Sequence, residues 1–495
     1  VNIRTFTTPL RKRAVDALIV SAFEGAELPA PTTTINTALN GAIGELIETG
    51  DFTGKTAQVA VIYPRGTIPA KRVIVVGLGK RDALTPDILR RAAAAVAATL
   101  REIKAVRAAS MLHGAPEVGV ETAAEALAEG TVLGLYTYHG QKTGEQQAAR
   151  LETLEVASDS AATRVGLEAG RQIALAARLT RDLANLPPNI CTPTYLAETA
   201  QRIGKEGGMR VEVLDRLQME ALKMGALLAV TRGSDTEPRF IIMEHNARHP
   251  RLDTIVLVGK GITFDTGGYS IKPADGMVGM KGDMSGAAAV IGAMQAIAAL
   301  KVPLHVVGLV PACDNMISGH AYLPQEVITA SNGVTIEVIS TDAEGRLILA
   351  DALVYADRYK PAAVVDIATL TGSIAVALGN QAAGLFCTDD ALRDRLVAAG
   401  THTAERVWPM PLYPEYEKAL ESKTADIKNS GGRFGGACLG AIFLKKFVSY
   451  PAWAHVDMAG VMTDVPENPY IPGGGASGFG TRLMVEFVRR WAGPQ

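Results

Sequence analysis

TIVLVGKGITFDTGGYSIKP, residues 254–273, opens with four consecutive apolar residues, Ile255 to Val258, and then sets Lys260, Asp265 and Lys272 among glycines. An apolar run without alternation belongs to a strand covered on both faces, the habit of parallel strands in α/β proteins. In such sheets ligands gather beyond the carboxyl ends of the strands. The charged residues that follow this run therefore stand where chemistry is expected.

The same pattern continues outward. LHVVGLV (304–310), TIEVIS (335–340), AAVVDIATL (362–370) and WAHVDMAG (453–460) read as further buried strands. Between them lie helical stretches such as SGAAAVIGAMQAIAAL (285–300) and RLILADALVYADRYK (346–360). Towards the N-terminus, VDALIVSAF, AQVAVIY and RVIVVGLG are strand-like, and TPDILRRAAAAVAATLREIKAV (85–106) is a helix with Pro86 in its first turn. TRVGLEAGRQIALAARLTRDLANLPPN (163–189) reads as one long helix stopped by Pro187 and Pro188. The expected fold class is α/β with two domains. A smaller N-terminal α/β domain covers 1–160, a linking helix 161–186, and a larger C-terminal α/β domain 187–495, with a mostly parallel or mixed central sheet covered by helices.

A chain of 495 residues exceeds what a single core usually serves. Its net charge of -2 provides no global pull toward nucleic acid or anionic membrane. No run approaches the roughly 18 apolar residues of a spanning helix, and the first twenty residues lack the apolar core of a signal peptide. A cytoplasmic protein is expected. The four cysteines, Cys191, Cys313, Cys387 and Cys438, are far apart and read as free thiols.

Three strand ends carry charges. Lys260 and Asp265 follow the quoted run, Asp283 precedes the small-residue helix from 285, and Asp342, Glu344 and Arg346 lie between TIEVIS and the helix that follows it. If these ends converge, four carboxylates share one pocket. They could not all stay ionised unaided, because each raises the pKa of its neighbours. Two divalent cations would neutralise them, and oxygen-rich ligands admit zinc, manganese or magnesium. None of the eight histidines falls in an HExxH pair, and His245 and His249 in EHNARHP are expected on a surface loop. VVGLGKRD (75–82) is expected to be a plain turn, since Asp82 replaces the glycine a dinucleotide fingerprint needs. Each charged stretch alone has a bland reading as a turn or an acidic first turn of a helix. It is their joint occurrence that argues for a site.

VGKGITFDTGG, SIKP, MKGDM and TDAEGRL resemble the leucyl aminopeptidase, or cytosol aminopeptidase, family of dinuclear metallo-exopeptidases. The similarity extends from about residue 180 to the end through NLPPNICTP, ATLTGS, ADIKNSGGRFGGACLGAIFLKKFV and WAHVDMAG. The resemblance implies that Lys260, Asp265, Asp283 and Glu344 hold one metal, and that Asp265, Asp342 and Glu344 hold the other. Asp265 and Glu344 would bridge the ions, which are expected to be Mn2+ or Zn2+ with Mg2+ admitted at one site. Lys272 and Arg346 match the remaining catalytic groups, with bicarbonate implied at Arg346. Met280, Thr369, Leu370, Gly372, Ala459 and Met462 match the pocket for the first side chain, which favours leucine-like residues. Thr266, Gly282 and Ser340 depart from the family's usual residues, and none is at a ligand position. Peptides with a free N-terminus are the implied substrates and a homohexamer the implied assembly.

A lysine that ligates metal must be neutral, whereas Lys272 would keep its charge to stabilise an oxyanion. Arg346 stays protonated and can hold a small anion but cannot act as a base. A two-metal phosphoesterase, a DNA-binding accessory role known in some bacterial relatives, and a catalytically silent scaffold are the competing readings. The ordered motifs disfavour the first, the near-neutral charge does not indicate the second, and the presence of all four carboxylates disfavours the third.

Overall fold

The computed structural model describes residues 1–144, 150–247, 249, 251–463, 465–471 and 474–493. The chain divides into two compact units, Val1–Leu175 with Glu467–Pro472, and Ala176–Pro466 with Gly473–Gln495. The division falls inside the helix Ala161–Asn185. Residues 467–471 group with the first unit rather than with the chain around them. Buried Tyr470 explains this locally, since its hydroxyl donates to Asp87 in the first turn of the helix Pro86–Glu102.

The first unit holds a six-stranded sheet in the order Asn2–Phe6, Thr153–Ala157, Arg107–Met111, Ala17–Ala22, Val73–Gly77, Val59–Ile62. All its pairs are parallel except the last. Ala17–Ala22 and Val73–Gly77 are buried throughout, as unbroken apolar runs require. The helix Pro86–Glu102 starts where Thr85 accepts a hydrogen bond from Ile88 N–H and Pro86 takes the first position. It ends sooner than its apolar pattern suggests, with Lys104 in the left-handed region and the chain passing into Arg107–Met111. VVGLGKRD is the end of the Val73–Gly77 strand followed by a turn.

The second unit holds a mixed sheet in the order Val407–Pro409, Ala383–Cys387, Trp453–Asp457, Ala363–Ala368, Thr254–Gly259, His305–Asn315, Arg239–His245, Arg210–Leu214. The four central strands, from Trp453–Asp457 to His305–Asn315, are mutually parallel. Gly261–Asp265 pairs with the far end of His305–Asn315, so the quoted stretch passes from one strand into another at Lys260. TIEVIS does not join this sheet. Thr335–Glu337 lies in a separate three-stranded sheet with Val327–Thr329 and Ile427–Lys428. Only Ile336 of the three is buried, so the strand has one covered face where a central strand has two.

His245 is another correction. It ends the Arg239–His245 strand, buried, with Nε2 2.9 Å from the carbonyl of Val302, while His249 is exposed. All four cysteines are free, and Cys191, Cys313 and Cys438 are buried. Among the described residues, no helix is long and apolar enough to cross a membrane.

Candidate active site

The carboxyl ends of the four central parallel strands meet two helix starts. Lys260 follows Thr254–Gly259, Thr369 follows Ala363–Ala368, and Asn315 and Asp457 are the last residues of their strands. Asp283 stands just before the helix Ser285–Ala299, and Glu344 opens the helix Glu344–Ala356, where the N-terminal partial charge favours a carboxylate.

The two lysines divide the carboxylates between them. Lys260 Nζ lies 2.8 Å from Asp283 Oδ1, 2.8 Å from Glu344 Oε1 and 3.0 Å from the carbonyl of Thr369. Lys272 Nζ lies 2.8 Å from Asp265 Oδ2 and 2.6 Å from Asp342 Oδ1. Asp265, Asp342 and Glu344 each offer an oxygen within 4.8 Å of the others. Of the site carboxylates only Asp342 is exposed.

Neighbouring groups hold these side chains in place. Asp265 Oδ1 accepts from Gly267 N–H and Asn315 Nδ2, each at 2.8 Å. Asn315 Nδ2 also donates to the carbonyl of Thr341 at 2.9 Å, which Tyr322 Oη reaches at 2.8 Å. Thr369 Oγ1 donates to Asp283 Oδ1 at 2.6 Å. Buried Asp457 accepts from Leu370 N–H, Thr371 N–H and Ala459 N–H, and from Thr371 Oγ1 at 2.6 Å. It thereby ties the Thr369–Thr371 turn to the strand end beside it.

The glycines of the quoted stretch permit this crowding. A Cβ on Gly259 would stand 2.4 Å from the carbonyl of Gly286. Gly267 and Gly268 have φ of +85° and +60°, and a Cβ on Gly267 would stand 2.9 Å from Asp342 Oδ1.

Burial and charge set the protonation preferences. Burial works against the charge of Lys260, but Asp283, Glu344 and Asp265 outweigh it and hold its pKa above the ordinary lysine value. Burial likewise opposes the charge of Lys272, and Asp265 and Asp342 prevail. Burial and the charge of Glu344 push Asp265 up to about 6. Burial pushes Asp283 well above the usual carboxylate range, and it raises Asp342. Glu344 resists the same burial because Lys260 holds its pKa down.

Two carboxylate oxygens, Asp283 Oδ2 and Glu344 Oε2, are buried without a hydrogen-bond partner among the described residues. Burying such atoms unsatisfied is costly, and a cation beside them would remove the cost. The donor set is nearly all oxygen, with one amine, and fits a divalent metal. Arg346, pulled down to about 10 by burial, donates from Nη1 to the carbonyl of Asn429 at 2.7 Å, and its Nε is likewise unpartnered.

The residues expected around the first side chain fall in two groups. Met280 begins the turn Met280–Gly282, and Met462 packs on Gly282, with Sδ 3.5 Å from where a Cβ would be. Leu370 and Ala459 are gathered by Asp457, Thr369 next to them is held by Asp283 and Lys260, and Gly372 starts the helix Gly372–Leu378. Asn315, Asp457 and Asn429 were not among the residues singled out from the sequence. Asn315 and Asp457 end apolar strands, the same signal that exposed Lys260, whereas Asn429 lies in a glycine-rich loop with no such mark.

An α/β sheet whose strand ends gather buried carboxylates suited to cations defines a candidate divalent-metal centre, of the kind metal-dependent hydrolases use. The profile of the cytosol aminopeptidase family's catalytic domain matches residues 178–485, and that of the family's N-terminal domain matches residues 19–145. A probable cytosol aminopeptidase of Roseiflexus castenholzii is 45% identical over 486 residues, covering 97% of each chain. Another from Geobacter sulfurreducens is 42% identical over 459 residues, 92% of each. Among solved structures, a mutant of tomato leucine aminopeptidase superposes with a TM-score of 0.88 at 34% identity, covering 99% of this chain and 96% of its own. The bottromycin maturation enzyme BotP in complex with Mn gives a TM-score of 0.85 at 33% identity, covering 97% and 100%. The chain belongs to the cytosol aminopeptidase family and is a metal-dependent aminopeptidase that acts on peptides.

Proposed function

We propose that this aminopeptidase releases N-terminal leucine and similar apolar residues, using two zinc or manganese ions, with magnesium admitted at one position. The observation that carries the reading is the pair of unpartnered buried oxygens, Asp283 Oδ2 and Glu344 Oε2, beside the Asp265, Asp342 and Glu344 cluster. Lys260, Asp265, Asp283 and Glu344 would hold one ion, and Asp265, Asp342 and Glu344 the other, with the main-chain carbonyl of Asp342 added. When bound, the ions supply Lewis-acid polarisation of the peptide carbonyl and lower the pKa of water to roughly 7.

The chain's own groups do the rest. Lys260 would hold a metal through a neutral Nζ, a state that a neighbouring dication would favour over the charged one seen among the carboxylates. Lys272 keeps its charge and, partly open to solvent, faces the oxyanion that forms on the scissile carbonyl. Asp283 would receive the free α-amine of the substrate, so a peptide with a blocked N-terminus is expected to lose that contact. Arg346 stays protonated and offers its unpartnered Nε to a small anion. Bicarbonate is the anion proposed there, and it would supply the general base that the site's own side chains lack.

Met280, Thr369, Leu370, Gly372, Ala459 and Met462 line the proposed pocket for the first side chain. Its apolar character suits leucine or methionine. By family resemblance the assembly proposed is a homohexamer in the cytoplasm, and exposed Val376, Trp408, Tyr413 and Phe434 are apolar groups that an interface could cover.

Leucine p-nitroanilide hydrolysis after chelation, with single metals restored and elemental analysis alongside, tests the reading. Recovery with about two metals per chain is expected. A folded chain inactive with zinc, manganese and magnesium alike would refute it. Arg346→Ala is expected to lower turnover with metal content unchanged; loss of metal would show that Arg346 serves the structure instead.

A further inference from the structure

Two buried asparagines grip the segment that leads into Asp342 and Glu344. Asn315 takes hold of Thr341, as described above, and Asn429 takes hold of the two residues before it. Asn429 Oδ1 accepts from Ile339 N–H at 2.7 Å and Ser340 N–H at 3.2 Å, and its Nδ2 donates to the carbonyl of Ser340 at 2.7 Å. Its main-chain N–H donates to the carbonyl of Glu337 at 3.0 Å, and its own carbonyl accepts from Arg346 Nη1 at 2.7 Å. The side chain is fully buried.

We propose that Asn429 is a positioning residue for Arg346, fixing through its carboxamide the carbonyl on which the guanidinium rests. The inference depends on the reading of Arg346 as a group that serves the reaction. Two features of the chain support it. The loop after Asn429 reads SGGRFGG, with Gly432 and Gly435 at φ of +101° and +65°, so its backbone has little conformational preference of its own. The pairing of Ile427–Lys428 and the Asn429 N–H bond to Glu337 hold the chain up to residue 429, and the carboxamide adds the only side-chain hydrogen bonds described between residue 429 and 339–340. The hydrogen bonds also demand this side chain, because two N–H groups need an acceptor and one carbonyl needs a donor. Aspartate supplies only the acceptors, and alanine supplies neither.

A double-mutant cycle on the full chain tests this, with leucine p-nitroanilide kinetics and metal content read together. Asn429→Ala is expected to lower kcat by about 10- to 100-fold, the usual effect of removing a group that orients another, with KM and metal content unchanged. In an Arg346→Ala background the same change is expected to cost less than about threefold, because residues that act as a unit are not additive. A purely structural role would make the two losses multiply, and that result overturns the proposal. So does parental turnover in Asn429→Ala. Asn429→Asp keeps both acceptor bonds but replaces the donor to Ser340 with a carboxylate oxygen facing that carbonyl, and it carries the same cycle if the alanine variant fails to fold. If neither variant folds, Asn429 serves folding and the proposal falls. Full turnover in Arg346→Ala would also overturn it, by removing the role of Arg346. A parent chain inactive with every metal would instead remove the aminopeptidase specificity proposed above.

Discussion

Gly345→Ala sets two effects against each other. Gly345 is the second residue of the helix Glu344–Ala356, and alanine in a helix is better than glycine by up to ~1 kcal/mol. On propensity alone the variant should be stabilised. The added Cβ, however, would stand 2.5 Å from Lys260 Cε, 2.7 Å from Nζ and 2.8 Å from Cδ. Carbon atoms prefer about 3.5–4.0 Å, so Lys260 would have to retreat by roughly 1 Å. A free lysine would do so at little cost. Lys260 is not free, because it is 3% exposed and held by Asp283, Glu344 and the carbonyl of Thr369. Overpacking a filled site costs about 1–3 kcal/mol, and separating a buried ion pair about 3–5 kcal/mol. Packing therefore wins: the helix gain of up to ~1 kcal/mol offsets part of the overpacking cost and the loosened ion pair adds to it, so a net loss on the order of 1–3 kcal/mol is expected in urea unfolding of the chelated protein. Competition with a chromophoric chelator should show weaker metal binding, and a displacement near 1 Å should lower kcat on the order of 100-fold. A variant with raised stability, parental metal affinity and parental kcat would refute the claim that Gly345 exists to admit Lys260.

Asn315→Leu removes the donor to Asp265 Oδ1 and the carbonyl of Thr341, so metal affinity measured by chelator competition should fall by about 10- to 100-fold; unchanged affinity would show that Gly267 N–H suffices to orient Asp265. His113 supplies a pH dependence in the first unit, where burial lowers its pKa from 6.5 to about 4. The unfolded chain then binds more protons than the folded one between these values. The contribution is fully present above pH 6.5 and declines as pH falls toward 4, by at most roughly 3 kcal/mol. Hydrogen exchange of the Arg107–Met111 strand in the intact chain, at pH 7.5 and 4.5, should show a smaller loss of protection in His113→Gln than in the parent. Equal losses would assign the acid sensitivity to other groups.

The α/β class and the charged positions were legible in the sequence because both are local signals. An unbroken apolar run implies two covered faces, and a lysine or carboxylate at its end stands out against it, as Lys260 and Asp265 do. Asp457 carries that signal at the end of WAHVD and could have been found the same way. The residues of the apolar pocket came from family resemblance rather than from any pattern in their spacing. TIEVIS could not be placed by pattern alone, because one of its two partners in the small sheet, Ile427–Lys428, lies some ninety residues further on.

The sequence by itself determined the chemistry of the site: a set of carboxylates, two lysines and an arginine at strand ends and helix starts, with glycines between them. Only the tertiary structure decided how they share one another. Lys260 takes Asp283 and Glu344, Lys272 takes Asp265 and Asp342, Asn315 orients Asp265 from fifty positions away, and Asn429 supports Arg346 from eighty-three. The physical reason is that residue types are written locally, whereas a hydrogen bond between distant residues exists only once strand order and register have brought its two ends within about 3 Å.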